Sequence, residues 1–251
     1  MHRRPARLLL LALITLLSGC ASMRPAERSR NDRFEHYNRA IFRFNQQLDK
    51  AVARPVAVAY VKVTPEPVRS GVSNFLANLS YPVVVVNDAL QAKPKQFGRD
   101  TARLVINTTL GIGGLFDPAT KLGLESRDED FGQTMGYWGV PSGPFLMLPI
   151  LGPSTVRDAF GKVADHFTEP KTYYVNSTTL SWGLTGAGLV DKRAGLLDAE
   201  AALNRYFDQY AFIRNAYLQR REFLIYDGNP PDDPAPEEPD DSAPDSPTEA
   251  K

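Results

Sequence analysis

The segment EDFGQTMGYWGVPSGPFLMLPILGPSTVRDAFG, residues 129–161, decides which kind of fold this chain adopts. Glycine and proline interrupt it every few residues, and the same crowding begins upstream at Gly111. Glycine permits backbone dihedrals that other residues avoid, whereas proline fixes the chain direction. The stretch 111–153 therefore cannot form one regular element. After it, Thr155 and Asp158 are predicted to cap a helix.

Apolar residues recur at helical spacing on both sides of this irregular stretch. The first stripe follows Asp32 and Glu35, a pair that resembles a capping box. This stripe consists of Phe34, Tyr37, Ile41, Phe44 and Leu48. Further stripes span residues 68–79, 97–108, 156–167 and 203–224. The valines at 83–86 are ambiguous between strand and helix. Six or more helices and no convincing run of strands predict an all-α fold.

The stretch LLLLALITLLSGCAS, residues 8–22, contains the only cysteine of the chain. Arginines precede its apolar run and small residues follow, which is the pattern of a secretory signal, and the run is too short to span a bilayer. Residues 17–20 resemble the lipobox of bacterial lipoproteins. That resemblance implies a signal peptide over 1–19, cleavage before Cys20 and lipid attachment to its sulfur. The alternative is a chance cysteine in an ordinary signal peptide. By resemblance, Ala21 favours sorting to the outer membrane.

The balance of 29 basic and 29 acidic residues hides a segregation of charge along the chain. The chain end, from Asp227 onward, is rich in acids and proline, which cannot bury enough surface to fold. We therefore expect a disordered tail over 229–251, a linker over 20–31 and one folded domain over 32–228. The mildly basic body suits anionic lipid head groups, or it is a basic domain without a charge-driven partner. An exported protein has little access to nucleic acid.

A search for catalytic and metal-binding patterns is negative. His36 and His166 do not form the H-E-x-x-H pair of zinc proteases, and the serine in GVPSG at 139–143 misses the spacing of a nucleophile elbow. A lone cysteine excludes an internal disulfide and a cysteine-rich metal site. We therefore expect no metal, no cofactor and no enzymatic activity.

Five longer motifs resemble the MlaA (VacJ) family of outer-membrane lipoproteins. They are RPVAVAY at 54–60, SNFLANLSYPVVVVNDALQAKP at 73–94, RLVINTTLGIGGLFDPA at 103–119, the segment at 129–161, and YFDQYAFIRNAYLQRREFL at 206–224. The resemblance covers roughly residues 32–226. One departure is Arg33, where the family usually has proline.

The resemblance implies a ring-like, all-helical protein in the inner leaflet of the outer membrane, lipid-anchored at the periplasmic face, with an amphipathic central channel. It also implies association with a trimeric porin. Such a protein removes mislocalised phospholipids from the outer leaflet and passes them to a soluble periplasmic carrier, which maintains lipid asymmetry. The stripe of the first helix then lies in the membrane interface rather than on the protein core. Two alternatives are a porin-associated scaffold and an exported lipid hydrolase.

Lipid transfer breaks no covalent bond, so the channel needs an apolar wall for the tails and a polar wall for the head group rather than a catalytic motif. The glycine- and proline-broken segment near 111–158 is the predicted wall, and the alternative is a compact loop. The candidate channel residues are Gly139, Gly143, Phe145, Leu146, Leu148, Gly152, Arg157 and Asp158. Because glycines flank the apolar piece 144–151, this piece is also a candidate gate, and the alternative is that these glycines only allow close packing.

Overall fold

The computed structural model describes residues 32–174, 177–203 and 205–231. The predicted signal peptide, Cys20, the linker and nearly all of the acidic tail lie outside these residues. The helices are α1 Glu35–Leu48, α2 Arg54–Val63, α3 Glu66–Leu90, α4 Pro94–Thr109, α5 Pro118–Lys121, α6 Phe131–Tyr137, α7 Val156–Thr168, α8 Pro170–Tyr174, α9 Thr178–Gly195, α10 Glu200–Leu203 and α11 Gln209–Ile225. A π-helical turn, Asp49–Ala53, joins α1 to α2. The all-α prediction is confirmed for the described part of the chain, apart from one small hairpin.

The ambiguous valine run belongs to a helix. Helix α3 continues from Glu66 to Leu90 with Pro82 inside it. Val83 and Val84 are buried, and α3 packs along α4. A proline within a helix removes one backbone hydrogen bond and crowds the preceding turn, so the packing of the buried valines has to outweigh both that cost and their β propensity.

The strands β1, Phe145–Leu148, and β2, Gly152–Thr155, form an antiparallel hairpin that the sequence did not predict. Phe145 and Met147 point to one side, are buried, and pack against Tyr210. The strands are only four residues long, so they leave little alternation for a period-based prediction to detect.

Helix α1 holds the hairpin through two asparagine side chains. Asn38 donates to the carbonyl oxygen of Phe145 at 3.0 Å and accepts from the amide of Met147 at 2.8 Å. Asn45 donates to the carbonyl oxygen of Leu148 at 2.9 Å and accepts from the amide of Ile150 at 2.8 Å. The side-chain amides of Asn38 and Asn45 thus make the hydrogen bonds that a neighbouring strand would otherwise make with the free edge of β1.

The predicted capping box at the start of α1 is wrong, whereas the predicted cap of α7 is confirmed. Asp32 makes no cap and is fully buried, where it accepts hydrogen bonds from Asn38 at 2.9 Å and from the Tyr210 hydroxyl at 2.5 Å. The carboxylate that the local spacing predicted as a helix cap is thus hydrogen-bonded instead to Tyr210, which is distant in the sequence. At α7, Thr155 accepts from the amide of Asp158 at 3.1 Å.

The last apolar stripe, predicted as one helix over 203–224, is divided between α10 and α11. Asp208 caps α11 by accepting from the amide of Ala211 at 3.0 Å. A capping aspartate stabilises a helix start because it satisfies an amide that has no partner within the helix. The stripe therefore breaks at this residue.

Besides the small apolar core, many of the buried side chains in the described residues are polar, and many large apolar side chains are exposed. In α4, Asp100, Arg103 and Asn107 are buried, whereas Phe97 and Val105 of the predicted stripe are exposed. The stripe of α7 is likewise exposed and includes Phe160 at 69%. Large apolar patches facing outward indicate a surface that contacts lipid or another protein. In the described part of the chain, no helix has the length and apolarity needed to cross a membrane.

Candidate functional site

A cavity of about 410 Å³ lies between one face of α3 and one face of α9. Its wall comprises Ser73, Leu76, Ala77, Leu79, Ser80, Tyr81 and Val84 of α3; Ser126, Arg127 and Asp128 of the loop before α6; Glu169; and Leu184, Thr185, Gly188, Leu189, Asp191 and Lys192 of α9. Residues three and four apart share a helix face, so each helix presents one continuous wall.

The cavity is amphipathic along its length. Leucines from both helices line its middle, and charged side chains lie at its two ends. One end is marked by Ser73, which donates to the carboxylate of Asp191 at 2.8 Å. The other end is formed by the loop that contains Arg127 and Asp128. A ligand with polar and apolar parts can be accommodated there without leaving either part poorly solvated.

Three glycines give α9 an open surface. An added Cβ at Gly183, Gly186 or Gly188 would meet no atom within 4 Å. Glycine inside a helix lowers helix stability by about 1 kcal/mol relative to alanine. At these three positions no close neighbour requires the absence of a side chain. Gly188 lines the cavity, so its missing side chain leaves room for a ligand rather than for another helix.

Ion pairs set the position of α9 relative to the first two helices. Arg193 donates to Asp49 at 2.6 Å and 3.0 Å, and the same guanidinium contacts Glu200 at 3.3 Å. Arg54 at the start of α2 donates to Glu200 at 2.9 Å. Paired, two-point contacts of this kind restrict orientation as well as distance. The cavity wall is thus anchored just beyond Lys192.

The structure distributes the predicted channel residues over several places. Phe145 is fully buried in the core, Leu146 and Leu148 are half-buried in β1, and Gly152 begins β2. Gly139 and Arg157 share a second cavity of about 390 Å³ beside α11. Their role in a channel stays a prediction. None of the predicted channel residues lines the cavity between α3 and α9.

The last predicted channel residue, Asp158, lies in a buried ion network. Arg221 donates to Asp158 at 2.9 Å and to Asp130 at 2.6 Å, and the Tyr217 hydroxyl donates to Asp158 at 2.7 Å. Burial alone would raise the pKa of Asp158, but the Arg221 charge and the Tyr217 hydrogen bond hold it below its usual value. The network ties α6, α7 and α11 together.

The crossing of α6 and α7 depends on close backbone contact. A Cβ on Gly161 would lie 2.4 Å from the amide nitrogen of Gly132. Near this crossing, Asp165 accepts from the amide of Phe131 at 3.0 Å, while burial and then the charge of Asp130 raise the pKa of Asp165 to about 6. The close contact between Gly132 and Gly161 explains why the segment 129–161 has glycine at these two positions.

The predicted interfacial stripe of α1 is partly exposed. Phe34 and Phe44 are close to half exposed, and Ile41 packs against the core around Phe145. The interfacial role of the stripe stays a prediction. The histidines His36 and His166 are exposed, and the described residues contain no cluster of three or more acidic, histidine or cysteine side chains that could hold a metal ion.

Sequence reasoning missed the α3–α9 cavity because it linked the glycine-rich segment before Thr155 to the channel. The usable signal was the segment WGLTGAGLV at 182–190, where glycines interrupt an apolar helix ahead of Asp191 and Lys192. Glycine inside a helical pattern points to close approach or to space for a ligand.

The fold and the cavity together define a class: a helical protein with a polar interior, an outward-facing apolar surface and an amphipathic internal cavity. The chain belongs to the MlaA lipoprotein family, whose model matches residues 30–224.

Two characterised relatives and one solved structure are similar over most of the chain. The intermembrane phospholipid transport system lipoprotein MlaA of Escherichia coli K12 is 39% identical over 228 residues, which are 88% of this chain and 90% of that protein. The protein of the same description in Haemophilus influenzae is 33% identical over 221 residues, 84% of this chain and 87% of that one. A chain solved as the structural basis for maintenance of bacterial outer membrane lipid asymmetry has a TM-score of 0.71 and 38% identity, and the match covers 79% of this chain and 100% of that chain.

Proposed function

We propose that this chain is an intermembrane phospholipid transport lipoprotein that maintains the lipid asymmetry of the outer membrane. The family and the similarity to MlaA lipoproteins support this function. The structural observation on which it rests is the amphipathic cavity between α3 and α9. As finer parts of the same proposal, the protein takes phospholipid from the outer leaflet, passes it to a soluble periplasmic carrier and associates with a trimeric porin.

The cavity suits such a transfer for a thermodynamic reason. Each CH₂ group taken out of lipid into water costs about 0.8 kcal/mol, so an unassisted diacyl lipid faces a large barrier. Leucines such as Leu76 and Leu184 replace lipid around the acyl chains, and the charged ends replace water around the head group. A wall of this kind lowers the barrier without any covalent step, so the proposed activity is not enzymatic.

The exposed apolar side chains support a seat in one leaflet of the outer membrane. Phe160 and Phe167 of α7 and Trp182 of α9 are each more than 60% exposed. Their burial in hydrocarbon is worth about 25 cal/mol per Å² of covered surface. Thioether lipid on Cys20 is the proposed permanent anchor, because two or more chains hold a protein stably to a membrane. The half-exposed phenylalanines of α1 are proposed to lie at the interface.

A pair of glycine substitutions tests the cavity as the lipid path. Gly188→Leu places a side chain in the cavity, whereas Gly183→Leu places the same side chain in open space on the same helix. Both changes add helix propensity, so neither is expected to unfold α9. We expect Gly188→Leu to reduce phospholipid transfer at least tenfold and Gly183→Leu to preserve it.

The measurement follows a labelled phospholipid passing from proteoliposomes to a soluble acceptor, with surface-exposed phospholipid in cells as a second readout. Co-purification of the porin with each variant separates transport from scaffolding. Normal transfer by Gly188→Leu would show that lipid does not pass through this cavity. Release of fatty acid or head group by the purified protein would favour the hydrolase instead.

A further inference from the structure

Two charged residues at one end of the α3–α9 cavity have no ionic partner in the described part of the chain. Lys192 has no ion pair among the described residues, and Asp191 has no contact there with a lysine, an arginine or a histidine within ion-pair distance. Two hydroxyl groups lie close to Asp191. Ser73 donates to the carboxylate at 2.8 Å, and the carboxylate charge, after burial, raises the pKa of Tyr60.

The charges at the opposite end of the cavity are paired. Arg127 donates to Asp227 at 2.6 Å, and Arg220 donates to Asp128 at 2.7 Å. Side chains at consecutive helix positions do not face each other, which explains why Asp191 and Lys192 do not pair together. Among the described residues that line the cavity, only the end with Asp191 and Lys192 therefore offers a ligand both a carboxylate and an ammonium that have no ionic partner there.

A second cation stands beside this end. Arg69 precedes Ser73 by one turn on the same face of α3. Its Nε is buried without a hydrogen-bond partner, and its guanidinium makes no ion pair among the described residues. A buried, unpaired donor of this kind is costly unless a ligand satisfies it. Lys192 and Asp191 line this end of the cavity, and Arg69 lies one helical turn from Ser73, next to the cavity wall rather than in it.

We propose that this end of the cavity binds the head group of an ethanolamine phospholipid, with Lys192 and Arg69 on the phosphate and Asp191 on the ammonium. The assignment rests on the proposed transport function and names the lipid class for it. A phosphodiester offers charged acceptor oxygens to both cations, and a primary ammonium offers three donors to a carboxylate. The acyl chains then begin at the leucines in the middle of the cavity.

The arrangement discriminates between head groups. A glycerol head group carries the phosphate but no positive charge, so it leaves the partly buried Asp191 without a cationic partner. A trimethylated ammonium cannot donate hydrogen bonds to that carboxylate. Asp191 is partly buried, and a charge in that position is better stabilised by a hydrogen-bonding cation than by a head group without one, so Asp191 favours ethanolamine lipids.

The test measures which lipids bind to the purified, full-length lipoprotein. The protein is equilibrated with mixed micelles that contain equal amounts of phosphatidylethanolamine and phosphatidylglycerol, and bound lipids are quantified by mass spectrometry. We expect the wild type to be enriched in phosphatidylethanolamine. Asp191→Asn should lower this enrichment about fivefold, which corresponds to roughly 1 kcal/mol for one charged contact.

Three further variants make the result specific. Asp191→Glu keeps the charge and should retain the preference. Lys192→Gln should lower total binding of both lipids, because both contain the phosphate. Asp198→Asn removes an exposed carboxylate outside the cavity wall and should behave as wild type. Circular dichroism spectra confirm that each variant is folded.

Bound phospholipid with the same composition in wild type and Asp191→Asn would overturn the head-group assignment and leave the transport function intact. A complete absence of bound phospholipid in every variant would refute the transport function, and the head-group assignment with it.

Discussion

Replacing Asp88 by asparagine probes how the polar interface between α3 and α4 is held. Asp88 is fully buried beside the carboxyl group of Asp100, and the two can share a hydrogen bond only when one of them carries a proton. Burial raises the pKa of Asp88 from 3.8 to about 7, and the adjacent buried Asp100 contributes in the same direction. Glu129 adds to the rise, and the positive charge of Arg127 opposes it.

The sign of the effect on stability follows from proton binding. Between about pH 4 and pH 7 the folded state keeps a proton on Asp88 that the unfolded chain has released, so the free energy of unfolding falls as the pH rises. A difference of about three pH units at about 1.4 kcal/mol per unit gives a loss of about 4 kcal/mol. That loss is a large fraction of the ~5–15 kcal/mol that stabilises a typical domain.

Asp88→Asn removes the titrating group while keeping its shape. We expect little change in stability at pH 4 and a gain of up to about 4 kcal/mol at pH 8. The measurement is urea unfolding of the purified protein in detergent, followed by far-UV circular dichroism at several pH values. A weaker decrease of the free energy of unfolding with rising pH should persist in the variant. It is due partly to Asp165, whose pKa is also raised, to about 6.

Asp128→Asn is the matched control, because Asp128 and its partner Arg220 are both mostly exposed. An exposed pair contributes about 0–1 kcal/mol, so this change should leave the pH dependence as in wild type. An identical pH slope in wild type and Asp88→Asn would refute the argument that a buried, protonated carboxyl lies between α3 and α4.

Three other predictions concern the anchor, the interface and the glycine contact. Cys20→Ser should remove the lipid and move the protein out of the outer-membrane fraction; unchanged fractionation and asymmetry would contradict the lipobox assignment. Phe44→Glu should leave the fold intact, because Phe44 is half exposed, yet weaken binding to vesicles; equal vesicle binding would place this face in water. Gly161→Ala should lower the melting temperature because the added Cβ would collide with Gly132. Gly98→Ala is the control: its added Cβ meets no atom, so it should raise the melting temperature slightly. Equal melting temperatures for the two variants would show that α6 and α7 do not cross so closely.

Local patterns in the sequence determined the elements that depend on neighbours along the chain. The apolar spacing predicted helices, Thr155 predicted the start of α7, and the glycines and prolines of 111–153 predicted that this stretch is not one regular element. These features rest on hydrogen bonds and dihedral preferences within a few residues, so the sequence contains their cause. The long motifs also sufficed to identify the family.

Tertiary structure alone decided which face of each helix is inside. Periodicity shows that Phe97 and Val105 share a face of α4, but it does not show whether that face meets protein or lipid. Here the opposite face is buried because Arg103 donates to Asp117 at 2.7 Å, a contact between α4 and the residue that caps α5. An apolar stripe is equally well solvated by a protein core and by hydrocarbon, so the stripe alone does not show which of the two it contacts.

The same reason explains the misplaced candidate site. The cavity forms where α3 and α9, about one hundred residues apart in the chain, present two faces to each other. Their relative position depends on Arg193 reaching Asp49 and on Ser73 reaching Asp191. Contacts between such distant residues have no signature in local spacing. The sequence by itself therefore determined the helices and the family, and only the folded arrangement determined that Asp191 and Lys192 stand at the mouth of a cavity.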